Sequence, residues 1–395
     1  MPDTAHRANA YPLPIREEVH ELEASRIVEV WEMGFAMDDV IGLWVGEGDL
    51  PTPDFISGAA VRALQEGHTF YSHKRGIPKL REALKAYTDG LYGLDLDYQR
   101  FSVTASGMNG LLVILQAVLS RGDEVICVTP VWPNIMKAAQ IAGGRVVEVG
   151  LDPREDGSYR LDLDKLRAAV TDKTRLIFIA SPSNPTGWMM EREEQQAVLE
   201  LCREKGVWLI SDEVYNRFVY DRPVAPSLLE LADPDDPVFV LNSFSKSWAM
   251  TGWRLGWVTH PLAFAEVFDK LIEFNTSGTQ AFLHHGCIAA LEEGEPFVRE
   301  MVERCRRGGE LVYQRLAGLP RVTVARPRAS FYCFFRVEGM DDSLAFAKRV
   351  LRETGVGLAP GSAFGDAGEG RLRLCFAASQ ERLSQAMDRL EPALS

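Results

Sequence analysis

The chain has 395 residues, 46% of them hydrophobic and 25% charged, an ordinary globular composition too long for one small module. Its 43 basic and 56 acidic residues leave a net charge of −13, so no overall attraction to phosphate backbones or anionic lipid exists, and nucleic acid is not an expected partner. No stretch approaches the ~20 apolar residues of a membrane span, and residues 1–7 lack a secretion signal's apolar run, so a soluble, cytoplasmic protein is expected.

In chain order, a helix is expected around 15–33. The region before Gly48 lies outside the alternating block that follows and is expected to pack with the C-terminal part. From about residue 98 to 260, short apolar, β-branched runs alternate with helical-period segments, the pattern of a parallel sheet covered by helices on both faces. Strands are expected at 101–105, 124–128, 145–149, 176–180, 207–211, 238–242 and 255–259, with helices such as 110–119 and 192–205 between them. Residues 233–237 are acidic but lack calcium-ligand spacing and read as a solvated loop. The last third changes character: a long helix at 296–316, then strands near 322–325, 331–337 and 371–376. The expected fold is α/β, a mostly parallel central sheet with helices on both faces plus a smaller α+β domain. Its expected divisions are an N-terminal segment 1–47, a large domain 48–285 and a small domain 286–395. Cys127, Cys202, Cys287, Cys305, Cys333 and Cys375 show no CxxC pairing and read as buried, reduced thiols. His68, His73, His284 and His285 lack metal-ligand spacing and read as structural or peripheral, so no metal is expected.

Ligands of open α/β sheets bind beyond the carboxyl ends of the strands, so the residues after each apolar run carry the information. The first run leads into Ser106-Gly107-Met108-Asn109 and a helix, and the fourth into Ser181-Pro182-Ser183-Asn184-Pro185-Thr186-Gly187. After the fifth comes Asp212-Glu213-Val214-Tyr215, and after the sixth Ser243-Phe244-Ser245-Lys246. These ends supply an anion cradle, an amide, a carboxylate with a phenol, and an amine. Singly, each has a bland reading as a cap, a turn or a packing residue.

Together with Gly46-Glu47-Gly48-Asp49-Leu50-Pro51-Thr52-Pro53, Thr251-Gly252-Trp253-Arg254-Leu255-Gly256 and Arg371-Leu372-Arg373, the set resembles the aspartate-aminotransferase-like class I/II aminotransferases, pyridoxal-phosphate enzymes of fold type I. The resemblance spans nearly the whole chain. It implies that Lys246 forms the cofactor's imine and later moves the substrate α-proton. The imine and neighbouring charges would hold its pKa low enough for that task. Asp212 would hold the proton on the pyridine nitrogen, and Asn184 and Tyr215 would bond the ring's 3-oxygen. Gly107 and Met108 with Ser106 would cradle the phosphate at a helix N-terminus, completed by Ser243, Ser245 and Arg254. Trp132 would stack on the ring. Tyr71 would reach the phosphate from a neighbouring subunit, implying a homodimer. The substrate carboxylate would meet Arg373, Asn184 and the backbone of Gly46, with Trp132 beside it. Arg371 shares a strand face with Arg373, so periodicity alone leaves the choice between them open.

Two positions depart from the family pattern. Gly48 stands where proline is usual, and Met108 where relatives that use acidic substrates carry a lysine. The implied activity is a ping-pong transfer of an amino group between an L-amino acid and a 2-oxo acid, with neutral or aromatic donors favoured over aspartate. The alternatives are a carbon–sulfur β-lyase or a decarboxylase on the same fold, and a non-catalytic cofactor-binding regulator, for which no basic appended segment exists. A nucleotide-dependent dehydrogenase would need a GxGxxG that is absent near Ser106.

Overall fold

The computed structural model describes residues 14–395. Seven strands build the central sheet: β1 (Phe101–Thr104), β2 (Glu124–Thr129), β3 (Arg145–Gly150), β4 (Thr174–Ala180), β5 (Trp208–Asp212), β6 (Val238–Ser243) and β7 (Gly256–Thr259). Their spatial order is β1-β7-β6-β5-β4-β2-β3. Strands β2, β4, β5 and β6 are buried along nearly their whole length, which is why they read as continuous apolar runs rather than alternating ones.

The seventh strand departs from the parallel expectation. β7 runs antiparallel to both β6 and β1. The chain between β6 and β7 holds only the short helix Phe244–Ser247 and the turn Thr251–Trp253, too little for a covering crossover. The start of β7 therefore lies beside the ends of its neighbours: Gly256 pairs with Thr104 on one side and Ser243 on the other.

A second sheet holds β8 (Val322–Thr323), β9 (Tyr332–Val337), β10 (Ala359–Pro360) and β11 (Arg371–Cys375), in the order β8-β9-β11-β10. The long helix Glu295–Ala317 packs on it and also against the last helix, Gln380–Leu394. The expected division at 285/286 falls inside the helix Ala281–Glu293, which packs along the helix Asp54–Gln65, and Gly294 separates that helix from Glu295–Ala317.

The single helix expected at 15–33 is two helices, Glu17–His20 and Arg26–Phe35. Ser25 starts the second, its Oγ accepting the Val28 N–H, and this cap is the sequence signal that a helical period alone hides. The first packs on the helix Asn134–Ile141 beside β2, the second on the helix Ser343–Thr354. The strand Ile41–Gly42 pairs parallel with Val356–Gly357, so the N-terminal stretch touches both halves of the molecule. All six cysteines are buried and unpaired. Among the described residues no helix is long and apolar enough to cross a membrane.

Candidate active site

The strand register brings the expected residues to one edge of the sheet. Ala180 and Asp212, at the ends of β4 and β5, are cross-strand neighbours, Asp212 pairs with Leu241 two residues before the end of β6, and Thr104, Gly256 and Ser243 line up across β1, β7 and β6. Above this row lies a cavity of about 400 Å³. Gly46, Gly107, Met108, Trp132, Asn184, Asp212, Tyr215, Ser243, Ser245, Lys246, Arg254 and Arg373 all line it.

At one end, Ser106 caps the helix Gly107–Val118 in a reciprocal arrangement. Its Oγ accepts the Asn109 N–H at 3.1 Å, and Asn109 Oδ1 accepts the Ala105 N–H at 3.2 Å. The Ser106 side chain is thus turned to the cap and does not line the cavity, and its backbone is held at φ 109°, outside ordinary L-residue space. A Cβ on Gly256 would sit 2.6 Å from Gly107 N, so only glycine lets β7 approach the start of this helix so closely. The first-turn N–H groups have no partner within the helix, and the Ser243 and Ser245 hydroxyls, bonded to each other at 2.9 Å, face the same end with Arg254. Arg254 is itself in the left-handed region, at φ 56°, with Nη1 on the Thr251 carbonyl at 2.6 Å.

In the middle, Lys246 Nζ donates to the Gly46 carbonyl at 2.6 Å. Burial pushes this amine down to about 8, with Arg373 adding to the fall and Cys375, Glu47 and Asp212 opposing it. Asp212 is 7% exposed, and the only hydrogen bond to its carboxylate among the described residues comes from the Val214 N–H at 3.2 Å. Burial pushes Asp212 up to about 6 against the pull of that N–H and of Lys246. A buried carboxylate so thinly supplied with donors calls for a cation or N–H from a bound group.

At the far end, Arg373 is 2% exposed and has no acidic partner among the described residues. Nη1 donates to Asn184 Oδ1 at 2.8 Å, Nη2 donates to the Trp44 carbonyl, and Nε is buried without a partner. Arg371 instead lies over the Tyr159 ring at 5.7 Å, reaches the Ala367 and Glu369 carbonyls, and stays outside the cavity that Arg373 lines. Tyr71 is 89% exposed and lies apart from the cavity of its own chain. Lys74 and Arg75 lie outside the cavity, paired with Glu273 and Asp269. The four expected peripheral histidines also lie outside it.

Several lining residues escaped the sequence reading: Trp44, Tyr332, Val214, and Ser25, Ile27 and Val28 of the N-terminal stretch. The β-strand pattern marks Tyr332 only as a core aromatic, and Ile27 and Val28 come from the helix whose start was hidden.

An α/β sheet whose carboxyl edge carries an amine, a donor-starved carboxylate, a helix-start cradle and an unpaired buried guanidinium is the architecture of fold type I pyridoxal-phosphate enzymes. The donor set fits that cofactor: a carboxylate for a ring nitrogen, free N–H groups and hydroxyls for a phosphate, an amine for an aldehyde. The sequence model of the family described as aminotransferase class I and II matches residues 38–390. The chain is 35% identical to the aspartate aminotransferase of Pyrococcus horikoshii over 383 residues, covering 96% of this chain and 97% of that protein. It is 33% identical to the aromatic-amino-acid aminotransferase 2 of Thermococcus litoralis, covering 97% and 98%. The solved structure of Thermus thermophilus aspartate aminotransferase with maleate superposes with a TM-score of 0.90 at 31% identity, covering 97% of this chain and 100% of that one. The chain belongs to the class I and II aminotransferases and is a pyridoxal-phosphate-dependent aminotransferase.

Proposed function

We propose that the enzyme moves an amino group from a neutral or aromatic L-amino acid to a 2-oxo acid by a ping-pong mechanism, working as a cytoplasmic homodimer. The observation that carries the substrate class is the charge count of the cavity. Its cationic lining residues are Lys246, Arg254 and Arg373, and each has a task at the reacting centre, the phosphate or the α-carboxylate. Among the described residues no fourth cation lines the cavity, where Met108, Ile27, Val28 and Trp132 would present mainly apolar surface to a substrate side chain. A distal carboxylate there would be desolvated without a partner. The relatives are named for aspartate and for aromatic amino acids, so kinship alone leaves the donor open.

Bound pyridoxal phosphate supplies an aldehyde for the amino group and a ring that accepts electrons when the Cα proton leaves. The Gly107 and Met108 N–H groups, the Ser243 and Ser245 hydroxyls and Arg254 would hold its phosphate, with Ser106 shaping the turn. Asp212 would keep a proton on the ring nitrogen, Tyr215 and Asn184 would bond the 3-oxygen, and Trp132 would cover the ring. Arg373, with Asn184 and the Gly46 backbone, would orient the α-carboxylate in bidentate fashion, which a lysine could not match. Lys246 Nζ would then take the proton from Cα, its low pKa leaving a usable neutral fraction near neutrality.

The dimer is supported by the exposure of Phe70, Tyr71 and Phe274, at 83%, 89% and 86%, unusually high for large apolar side chains on a free surface. Tyr71 would complete the phosphate site of the partner. The six unpaired cysteines fit a reducing compartment. A panel of amino donors with 2-oxoglutarate and pyruvate tests the substrate class. Higher kcat/KM for phenylalanine, tyrosine, leucine or methionine than for aspartate is expected, and a maximum at aspartate would reject it. Release of ammonia and pyruvate from cystathionine without an acceptor would favour a lyase instead.

A further inference from the structure

Tyr332 carries none of these roles, yet it touches three of the groups that do. It stands on β9 opposite Cys375, and two residues along the same face Phe334 stands opposite Arg373. Its ring lies 4.5 Å from the Arg373 guanidinium. Its hydroxyl is 2.7 Å from Tyr215 Oη, the one side-chain hydrogen bond either phenol makes among the described residues. A Cβ on Gly46 would fall 2.0 Å from that same hydroxyl oxygen, so the backbone whose carbonyl receives Lys246 Nζ packs directly on it.

A phenol carries one proton, so when two phenols touch, the one that donates to the other has none left for a third group. The Tyr332 hydroxyl has no acceptor among the described residues except Tyr215, whereas Tyr215 also faces the cavity. We propose that Tyr332 is a positioning residue: its hydroxyl donates to Tyr215 Oη and so aims the Tyr215 proton at the cofactor's 3-oxygen, while its ring holds Arg373 ready for the substrate carboxylate. This builds on the roles given above to Tyr215 and Arg373. One side chain thereby ties the substrate anchor to the group that tunes the cofactor. Chained hydrogen bonds strengthen one another, so a phenol that accepts from Tyr332 is a better donor to the 3-oxygen than one that does not. The titratable and charged groups facing this set are Arg373 and Asp212 beside Tyr215, Arg373, Cys375 and Cys305 beside Tyr332, and Cys375, Arg373, Glu47 and Asp212 around Lys246. None of them hydrogen-bonds either phenol.

The test is a pH titration of the visible absorbance of the pyridoxal-phosphate-loaded enzyme, combined with steady-state kinetics. A donor to the 3-oxygen stabilises its anionic form and holds the apparent pKa of the band down. Tyr332→Phe keeps the ring and should raise that pKa by roughly half a unit, with KM for amino donors changed less than about twofold. In a Tyr215→Phe background the same substitution should leave the pKa unmoved. Tyr332→Leu should in addition raise KM for every donor roughly tenfold, because Arg373 loses its aromatic platform. A Tyr332→Phe titration superimposing on wild type overturns the proposal, as does an equal shift in the Tyr215→Phe background, and the Phe pair decides even where the Leu variant does not fold. A wild-type enzyme with no visible band would overturn the Lys246 reading, and this inference with it.

Discussion

Replacing Asp212 with asparagine should make the cofactor-free enzyme more stable while abolishing most of its activity. The carboxyl titrates at 3.8 in a free chain and at about 6 in the fold, because burial outweighs the Val214 N–H and Lys246. The sign follows from proton binding. At pH below the free value both states are protonated and nothing is lost; between the two values the native state holds the proton longer than the unfolded chain, so stability falls as pH rises. Above about 6 the whole penalty is present, about 3 kcal/mol at 1.36 kcal/mol per unit. Asparagine cannot ionise, but its buried amide N–H groups lack acceptors and cost about 1 kcal/mol. The net gain is about 2 kcal/mol near neutral pH. With an unfolding entropy of ~2.1 cal/mol/K per residue, a chain of this length should show a midpoint rise on the order of 2 °C. Thermal melts of the two apoenzymes at fixed protein concentration, at several pH values, measure it. The difference should shrink or reverse as pH falls through the window between the two titration values. Saturating pyridoxal phosphate should raise the midpoint of wild type more than that of the variant, because the ring nitrogen then answers the carboxylate. An apo variant less stable than wild type near neutrality, or a difference independent of pH, would refute the reasoning.

Arg373→Leu should raise KM for all amino donors and oxo acids by about a hundredfold or more, with pyridoxal phosphate still bound; normal KM values would remove Arg373 from substrate binding. Gly46→Ala forces a methyl group into the Tyr332 hydroxyl, so steady-state kinetics should show kcat falling by about tenfold or more, whereas unchanged turnover would show that this contact is slack. Met108→Lys adds the missing cation and should raise kcat/KM for aspartate by about tenfold while lowering it for leucine; no change in the ratio would show that position 108 does not meet the substrate side chain.

The strand ends were the most legible part of the sequence. An apolar strand is buried and runs into a polar residue where the sheet edge meets a ligand, so Asn184, Asp212 and Lys246 stood out by position as well as type. The direction of β7 was not legible, because an apolar run of four residues looks the same in either sense; the shortness of the connection after Lys246 was the available clue. Arg371 and Arg373 shared a face by alternation, and only what each meets, Tyr159 and backbone carbonyls for one and Asn184 with the cavity for the other, separates them. Tyr332 and Trp44 lay hidden because their use depends on contacts with residues far away in the chain, the Tyr215 hydroxyl and the Arg373 guanidinium. Whether Tyr71 completes a partner's site is a property of two chains, which one chain's alternation and spacing do not encode.

The account stands or falls with Lys246 as the amine that takes up the cofactor opposite Asp212. Loading the enzyme with pyridoxal phosphate, reducing it with borohydride and mapping the modified peptide by mass spectrometry measures this directly. One reduced phosphopyridoxyl group per chain on Lys246, absent from Lys246→Ala, is the predicted result. A label on another lysine, or visible absorbance and transamination surviving in Lys246→Ala, would contradict it.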